Sequence, residues 1–237
     1  MLKGTADSLV LWPRHLRSHL QHTTPLSQAR NTYTYLASAA KKEGPRRRAV
    51  RAVTRQADEA VAGEVQRYLS SSTLRLYTNT DPVGVQIAGA LKNVIAIATG
   101  ISDSLGMGTN SRATIITRGL AEISRLGIRV GGQASTFSGL AGLGDLVLTC
   151  TGALSRNHTV GQRIGHGERL QDILEGSRSV AEGVPTTRSA RLLAGKVGID
   201  MPLVEEVHRI LFEDGPPQEA MQRLMTRPLT SENERSA

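Results

Sequence analysis

Lys92 stands in the middle of Gly89-Ala90-Leu91-Lys92-Asn93-Val94-Ile95, where every neighbour but Asn93 is small or apolar. Such surroundings exclude water, and desolvation disfavours an ammonium, so this lysine is a candidate proton carrier. The bland alternative is a lysine on the polar edge of its helix, reaching to solvent, with Asn93 marking that edge. Asp145, within Gly142-Leu143-Gly144-Asp145-Leu146-Val147, is a carboxylate in an apolar, glycine-rich stretch and requires a partner if buried. Ser155 is suited to cap a helix beginning at Arg156, whose free first-turn N–H groups favour an anion. Arg156 can add a two-pronged hydrogen bond to a phosphate, although an ordinary capped helix has the same local signature.

Two further groups carry less. Cys150 follows a strongly apolar run and reads as a small buried hydrophobe rather than a nucleophile. His15, His19 and His22 have the spacing of metal ligands on one helix face, but helical patterning and a nearby carboxylate are both missing there. No metal site is expected.

The elements that must position these residues are mostly helices. Asp58–Leu69 has helical apolar spacing with acids in its first turn, and 73–78 alternates as a strand. Asp81 is a candidate N-cap with Pro82 at the first helical position, opening an apolar helix from Val83 to about Ile101. Ile87, Leu91, Val94, Ile95 and Ala98 fall on one face of it. Further helices are predicted at 111–126, 140–149, 156–166, 171–174, 186–197, 202–212 and 216–225.

The composition divides the chain. Residues 1–56 hold eleven Lys and Arg against Asp7 and Glu43, a balance of +9, while 57–237 hold 18 against 19. Of 24 glycines, 22 follow residue 56, so charge and glycine content change together near residue 57. The formal charge of +8 over 237 residues therefore belongs to the first quarter and does not make the remainder a nucleic-acid binder. The weakly patterned 1–56 segment is expected to be poorly packed or loosely helical. A single cysteine excludes an internal disulfide framework and suits a reducing, cytoplasmic setting. The sequence has no run of 18 apolar residues, so no membrane span is expected.

The run from Gly84 to Ile97 resembles the C-terminal domain of bacterial NAD(P)-dependent glycerol-3-phosphate dehydrogenases. So do Ile116-Thr117-Arg118-Gly119-Leu120-Ala121-Glu122 and the stretch from Gly139 to Cys150. Ser155-Arg156-Asn157, Val180-Ala181-Glu182-Gly183 and Met201-Pro202-Leu203 follow in matching order. The resemblance implies a mainly α fold, a helical C-terminal domain of the 6-phosphogluconate-dehydrogenase-like type, preceded by an incomplete α/β (Rossmann) remnant. Its boundaries are a basic segment at 1–56, the end of the Rossmann domain at 57–80, a helical substrate-binding and catalytic domain at 81–226, and a polar tail at 227–237. It assigns Lys92 as the catalytic proton acceptor and Lys92, Asp145, Ser155, Arg156 and Asn157 as holding glycerol 3-phosphate. Arg156, Val180 and Glu182 would contact an NAD or NADP cofactor. The implied reaction interconverts dihydroxyacetone phosphate and glycerol 3-phosphate for glycerophospholipid synthesis.

The family's G-x-G-x-x-G loop has no counterpart in these 237 residues, which argues against self-sufficient cofactor binding. The family's second lysine has no clear match, Leu2-Lys3-Gly4 being the one Lys-Gly pair in 1–56 and close to the terminus. An out-of-frame coding stretch would explain the arginine-rich 1–56; a transit peptide and a nucleic-acid-binding arm rank behind it. The competing reading of the whole chain is an inactive helical module that binds the phosphate substrate or only dimerises. An exposed core after loss of a domain would favour self-association, as a homodimer.

Overall fold

The computed structural model describes residues 33–35, 50–55, 59–71, 74–176 and 181–229. It divides into two compact units, Met1–Thr80 and Asp81–Ala237.

In the first unit three strands form a sheet in the order β1 (Tyr33–Tyr35), β2 (Val50–Arg55), β3 (Leu74–Asn79). β1 runs antiparallel to β2, with Tyr33 opposite Arg55 and Tyr35 opposite Val53. β2 and β3 are parallel in the register Val50–Leu74 to Arg55–Asn79. Parallel neighbours need a crossover, and helix α1 (Glu59–Leu69) supplies it. Ala62 and Val65 of α1 are buried, as is Leu76 of β3, and Gln66 Nε2 donates to the Leu76 carbonyl at 2.9 Å. Of the segment expected to be poorly packed or loosely helical, the described residues, 33–35 and 50–55, are strands. Aromatic and β-branched residues such as Tyr33, Tyr35, Val50, Val53 and Thr54 favour a pleated surface once a partner strand is present. The change in charge near residue 57 thus falls inside one sheet, between β2 and β3. His15, His19 and His22 lie outside the described residues.

The second unit is built round α2 (Pro82–Ser104). Asp81 caps it by accepting from Gly84 N at 2.8 Å, and its other oxygen accepts from Gln133 N at 2.7 Å. One carboxylate therefore starts α2 and ties down the turn after α3 (Gly108–Arg129). From Leu91 to Ser102 every residue of α2 is buried, so burial extends beyond the apolar face to the whole circumference, with Lys92, Asn93, Thr99 and Ser102 included. α2 is long and apolar enough to cross a membrane by length and composition, but 72% of its most apolar window is buried by its neighbours. It is a core helix.

Around it pack α3, α4 (Ala134–Ser138), α5 (Asp145–Thr151), α6 (Arg156–Gly165), α8 (Gly183–Val197) and α9 (Pro202–Phe212), with α7 (Leu170–Glu175) against α6 and α10 (Pro217–Met225) against α9. The helix predicted over 140–149 is present as Leu140–Thr151, but it opens with a π turn at Leu140–Gly144 that runs directly into α5, and the short α4 precedes it. The reason is close packing: a Cβ on Gly142 would lie 2.0 Å from the Phe137 carbonyl oxygen, and the Phe137 ring is itself buried. The start predicted for α8 at Thr186 moves to Gly183, and α8 ends at Gly198 in the left-handed conformation, φ 71°. Two carboxylates fasten the later helices. Glu122 of α3 accepts from Leu203 N (2.8 Å) and Val204 N (3.3 Å), capping α9 from across the core. Glu206 of α9 binds Arg223 of α10 at 2.9 Å.

Candidate active site

Lys92 is buried, and its Nζ donates to Asp145 Oδ2 at 2.5 Å. The two side chains are 8% and 11% exposed, which overturns the solvent-reaching alternative for the lysine. α2 presents Lys92 and the first residue of α5 presents Asp145, so the pair joins two elements 53 residues apart. Burial lowers the Lys92 pKa, and the neighbouring Asp145 charge and hydrogen bond offset part of that effect. Burial likewise raises the Asp145 pKa, against the opposing pull of Lys92 and Thr149. Both shifts weaken the ionised forms, which brings the two proton affinities towards each other. A proton held at Lys92 Nζ is thereby made easier to give up than one on a solvated lysine.

Ser155 caps α6, its Oγ accepting from His158 N at 3.3 Å. The side chain of Arg156 is exposed and makes no hydrogen bond or ion pair with a described residue, so its guanidinium is available to an anion beside the free N–H groups of the first turn. Asn157 is buried. Its Nδ2 donates to Asn93 Oδ1 at 2.9 Å, and its Oδ1 accepts from Gly183 N at 2.9 Å. This amide joins α2, α6 and the start of α8, immediately beside Lys92. Glu182, exposed at the start of α8, is near enough for its charge to raise the Lys92 pKa. Val180 lies outside the described residues. Cys150 is fully buried and its thiol is pushed up to about 12, chiefly by burial, so it stays protonated and unreactive.

The fold thus brings Lys92, Asp145, Asn157 and Glu182 into one neighbourhood, with Ser155 and Arg156 opening the helix that carries Asn157. Three contributors were not singled out from sequence. Asn93 registers only as a polar edge, yet it anchors Asn157. Thr149 accepts no special notice, although its Oγ1 donates to the Asp145 carbonyl at 2.7 Å. The Asp103–His158 pair at 2.7 Å carries no local signal, since its members are 55 residues apart.

Residues 81–237 form a helical unit in which a buried lysine–carboxylate pair stands beside a capped helix start, groups suited to holding a proton and an anion. Residues 81–222 match the family profile described as NAD-dependent glycerol-3-phosphate dehydrogenase C-terminus, and the chain belongs to that family. It is 57% identical over 180 residues to a glycerol-3-phosphate dehydrogenase (NAD(P)+) of Geobacter sulfurreducens, covering 76% of this chain and 54% of the relative. A protein of the same name from Acidobacterium capsulatum is 56% identical over 172 residues, covering 72% and 51%. The crystal structure of glycerol-3-phosphate dehydrogenase from Coxiella burnetii superposes with a TM-score of 0.73 at 42% identity, covering 76% of this chain and 56% of that one. The chain spans about half the length of the curated relatives it matches.

Proposed function

We propose that this chain supplies the substrate side of an NAD(P)-dependent glycerol-3-phosphate dehydrogenase, interconverting dihydroxyacetone phosphate and glycerol 3-phosphate. The observation that carries this reading is the buried Lys92–Asp145 pair at 2.5 Å beside the capped start of α6. In the direction of reduction, Lys92 gives its proton to the alkoxide forming on C2; in oxidation the neutral amine accepts the C2 hydroxyl proton. Asp145 keeps Nζ oriented and compensates its charge. The free N–H groups of the first turn of α6 and the Arg156 guanidinium hold the phosphate. The Asn157 amide is held by Asn93 and Gly183, which leaves its main-chain N–H and its second Nδ2–H for substrate.

The cofactor, when bound, supplies or accepts the hydride. Exposed Arg156 and Glu182 suit its nicotinamide end, and the family resemblance adds Val180. Among the described residues no glycine-rich turn follows a strand to cradle a pyrophosphate. A cytoplasmic setting and a role in supplying the glycerophospholipid backbone accompany this reading.

A second reading, a module that binds the phosphate substrate without turnover, is favoured by the absence of G-x-G-x-x-G from these 237 residues. Purified chain, NADH or NADPH, and dihydroxyacetone phosphate separate the two. Cofactor oxidation that falls about 100-fold or more in Lys92→Ala supports the enzyme. Calorimetric binding of glycerol 3-phosphate without oxidation supports the module, and neither signal overturns both.

A further inference from the structure

We infer that Asp103 and His158 are positioning residues for the phosphate-holding start of α6, an inference that rests on the substrate reading above. α6 lies with its backbone directly on α2. A Cβ on Gly100 would stand 2.1 Å from the His158 carbonyl oxygen, and a Cβ on Gly161 would stand 2.1 Å from that of Ile97. Helices normally lock their crossing angle by interleaving side chains. Where glycine meets backbone there are none to interleave, and rotation about the contact needs another restraint.

Two adjacent residues of α6 provide it by reaching opposite ways along α2. Asn157 Nδ2 reaches Asn93, on the N-terminal side of Gly100, at 2.9 Å. His158 Nε2 reaches Asp103 Oδ2, on the C-terminal side, at 2.7 Å. The first bond lies inside the candidate site; the second lies ten residues of α2 further on. Asp103 is itself held in a fork by Arg112 of α3, with Nε to Oδ1 at 2.9 Å and Nη2 to Oδ2 at 2.8 Å. The Asp103 and His158 side chains are only 10% and 13% exposed, so water competes weakly for this bond. The main-chain N–H of His158 is also the group that Ser155 caps. The third residue of α6 is therefore fixed through its side chain, its N–H and its carbonyl contact. The direction of the preceding N–H groups, and of Arg156, follows from that.

The test uses the full chain, with glycerol 3-phosphate binding read by calorimetry and the unfolding midpoint by circular dichroism. His158→Ala is expected to weaken binding about tenfold, and His158→Gln, whose amide donor has similar reach, to restore most of it. If the effect passes through α6, the two substitutions are coupled, and in an Arg156→Lys background His158→Ala weakens binding by less than about threefold. A merely structural role would instead give the same factor in both backgrounds, and that result overturns the inference. Unchanged affinity in a folded His158→Ala chain overturns it too, as does failure of His158→Gln to restore binding. If His158→Ala does not fold, Asp103→Asn, which keeps the shape and removes one acceptor, carries the same comparison. Failure of the unaltered chain to bind glycerol 3-phosphate overturns the substrate reading, and this inference with it. Binding weakened by Arg156→Lys but untouched at His158 overturns the positioning role alone.

Discussion

Lys92 and Asp145 form a charged pair in a dry place, an arrangement that costs stability and that the function proposed above uses to carry a proton. Each is disfavoured as an ion by burial, and each is tolerated because the other is 2.5 Å away. Asp145→Asn should therefore cost about 3–5 kcal/mol at neutral pH, since it leaves the lysine buried without its counter-charge. The folded variant then holds Lys92 below its unfolded proton affinity. Between those two values the unfolded state binds more protons, so stability returns as pH rises towards 10. Urea unfolding of Asp145→Asn at neutral and alkaline pH measures this, and a loss independent of pH would place the damage elsewhere. Replacing both partners, Lys92→Met with Asp145→Leu, should cost less than the single change while abolishing any turnover. The chemical character of these residues was legible from their apolar neighbours. Their partnership was not, because a carboxylate that needs a partner does not say which of several cations will reach it.

At the scale of elements, the helix starts were the most legible part of the fold. Asp81-Pro82 and Ser155-Arg156 mark helix starts where the structure has them, because a side-chain cap is decided within four residues; Met201-Pro202 marks a third through its proline, its cap coming from Glu122. The π turn at Leu140–Gly144 was not legible, because Gly142 packs on the Phe137 backbone, a contact that local preference does not encode. The α2–α6 contact makes a sharp prediction of the same kind. Gly161→Ala is a good change for an isolated helix, yet here the new methyl group would meet the Ile97 carbonyl at 2.1 Å. It should destabilise by about 2–3 kcal/mol, read as a fall in the denaturant midpoint, whereas helix propensity alone predicts a gain.

Glu122 offers a second test between elements. Burial pushes its pKa up to about 7, with the Leu203 and Val204 amides opposing. The unfolded carboxyl titrates near 4.5, so between 4.5 and 7 the folded state binds more protons and stability declines as pH rises. The full span corresponds to about 3 kcal/mol. Melting curves between pH 5 and 7.5 should show the decline, and Glu122→Gln, which keeps an oxygen for Leu203 N, should flatten it.

For the whole molecule, the division at Thr80/Asp81 is the organising fact. The unit after it has its own continuous core, centred on the buried stretch Leu91–Ser102 and closed by Glu122 and Glu206. A fragment of residues 81–229 should therefore fold alone, with a helical spectrum and a single cooperative unfolding transition. A broad, non-cooperative melt would mean that the core needs residues before 81.

The amino-acid sequence by itself determined the helical character of 81–225, the side-chain caps that begin α2 and α6 and the chemical types that stand in its candidate site. Those features depend on neighbours a few positions apart, and short-range periodicity and hydrogen bonding encode them. Only the tertiary structure decided that Lys92 meets Asp145, that Asn157 joins three helices, that Glu122 caps a helix 80 residues away, and that β2 and β3 share a sheet across the change in charge. Each of these joins residues distant in the chain. The approach of α6 to α2, which brings Asn157 to Asn93, is allowed by the bare backbones at Gly100 and Gly161, a property of packing that no local window contains.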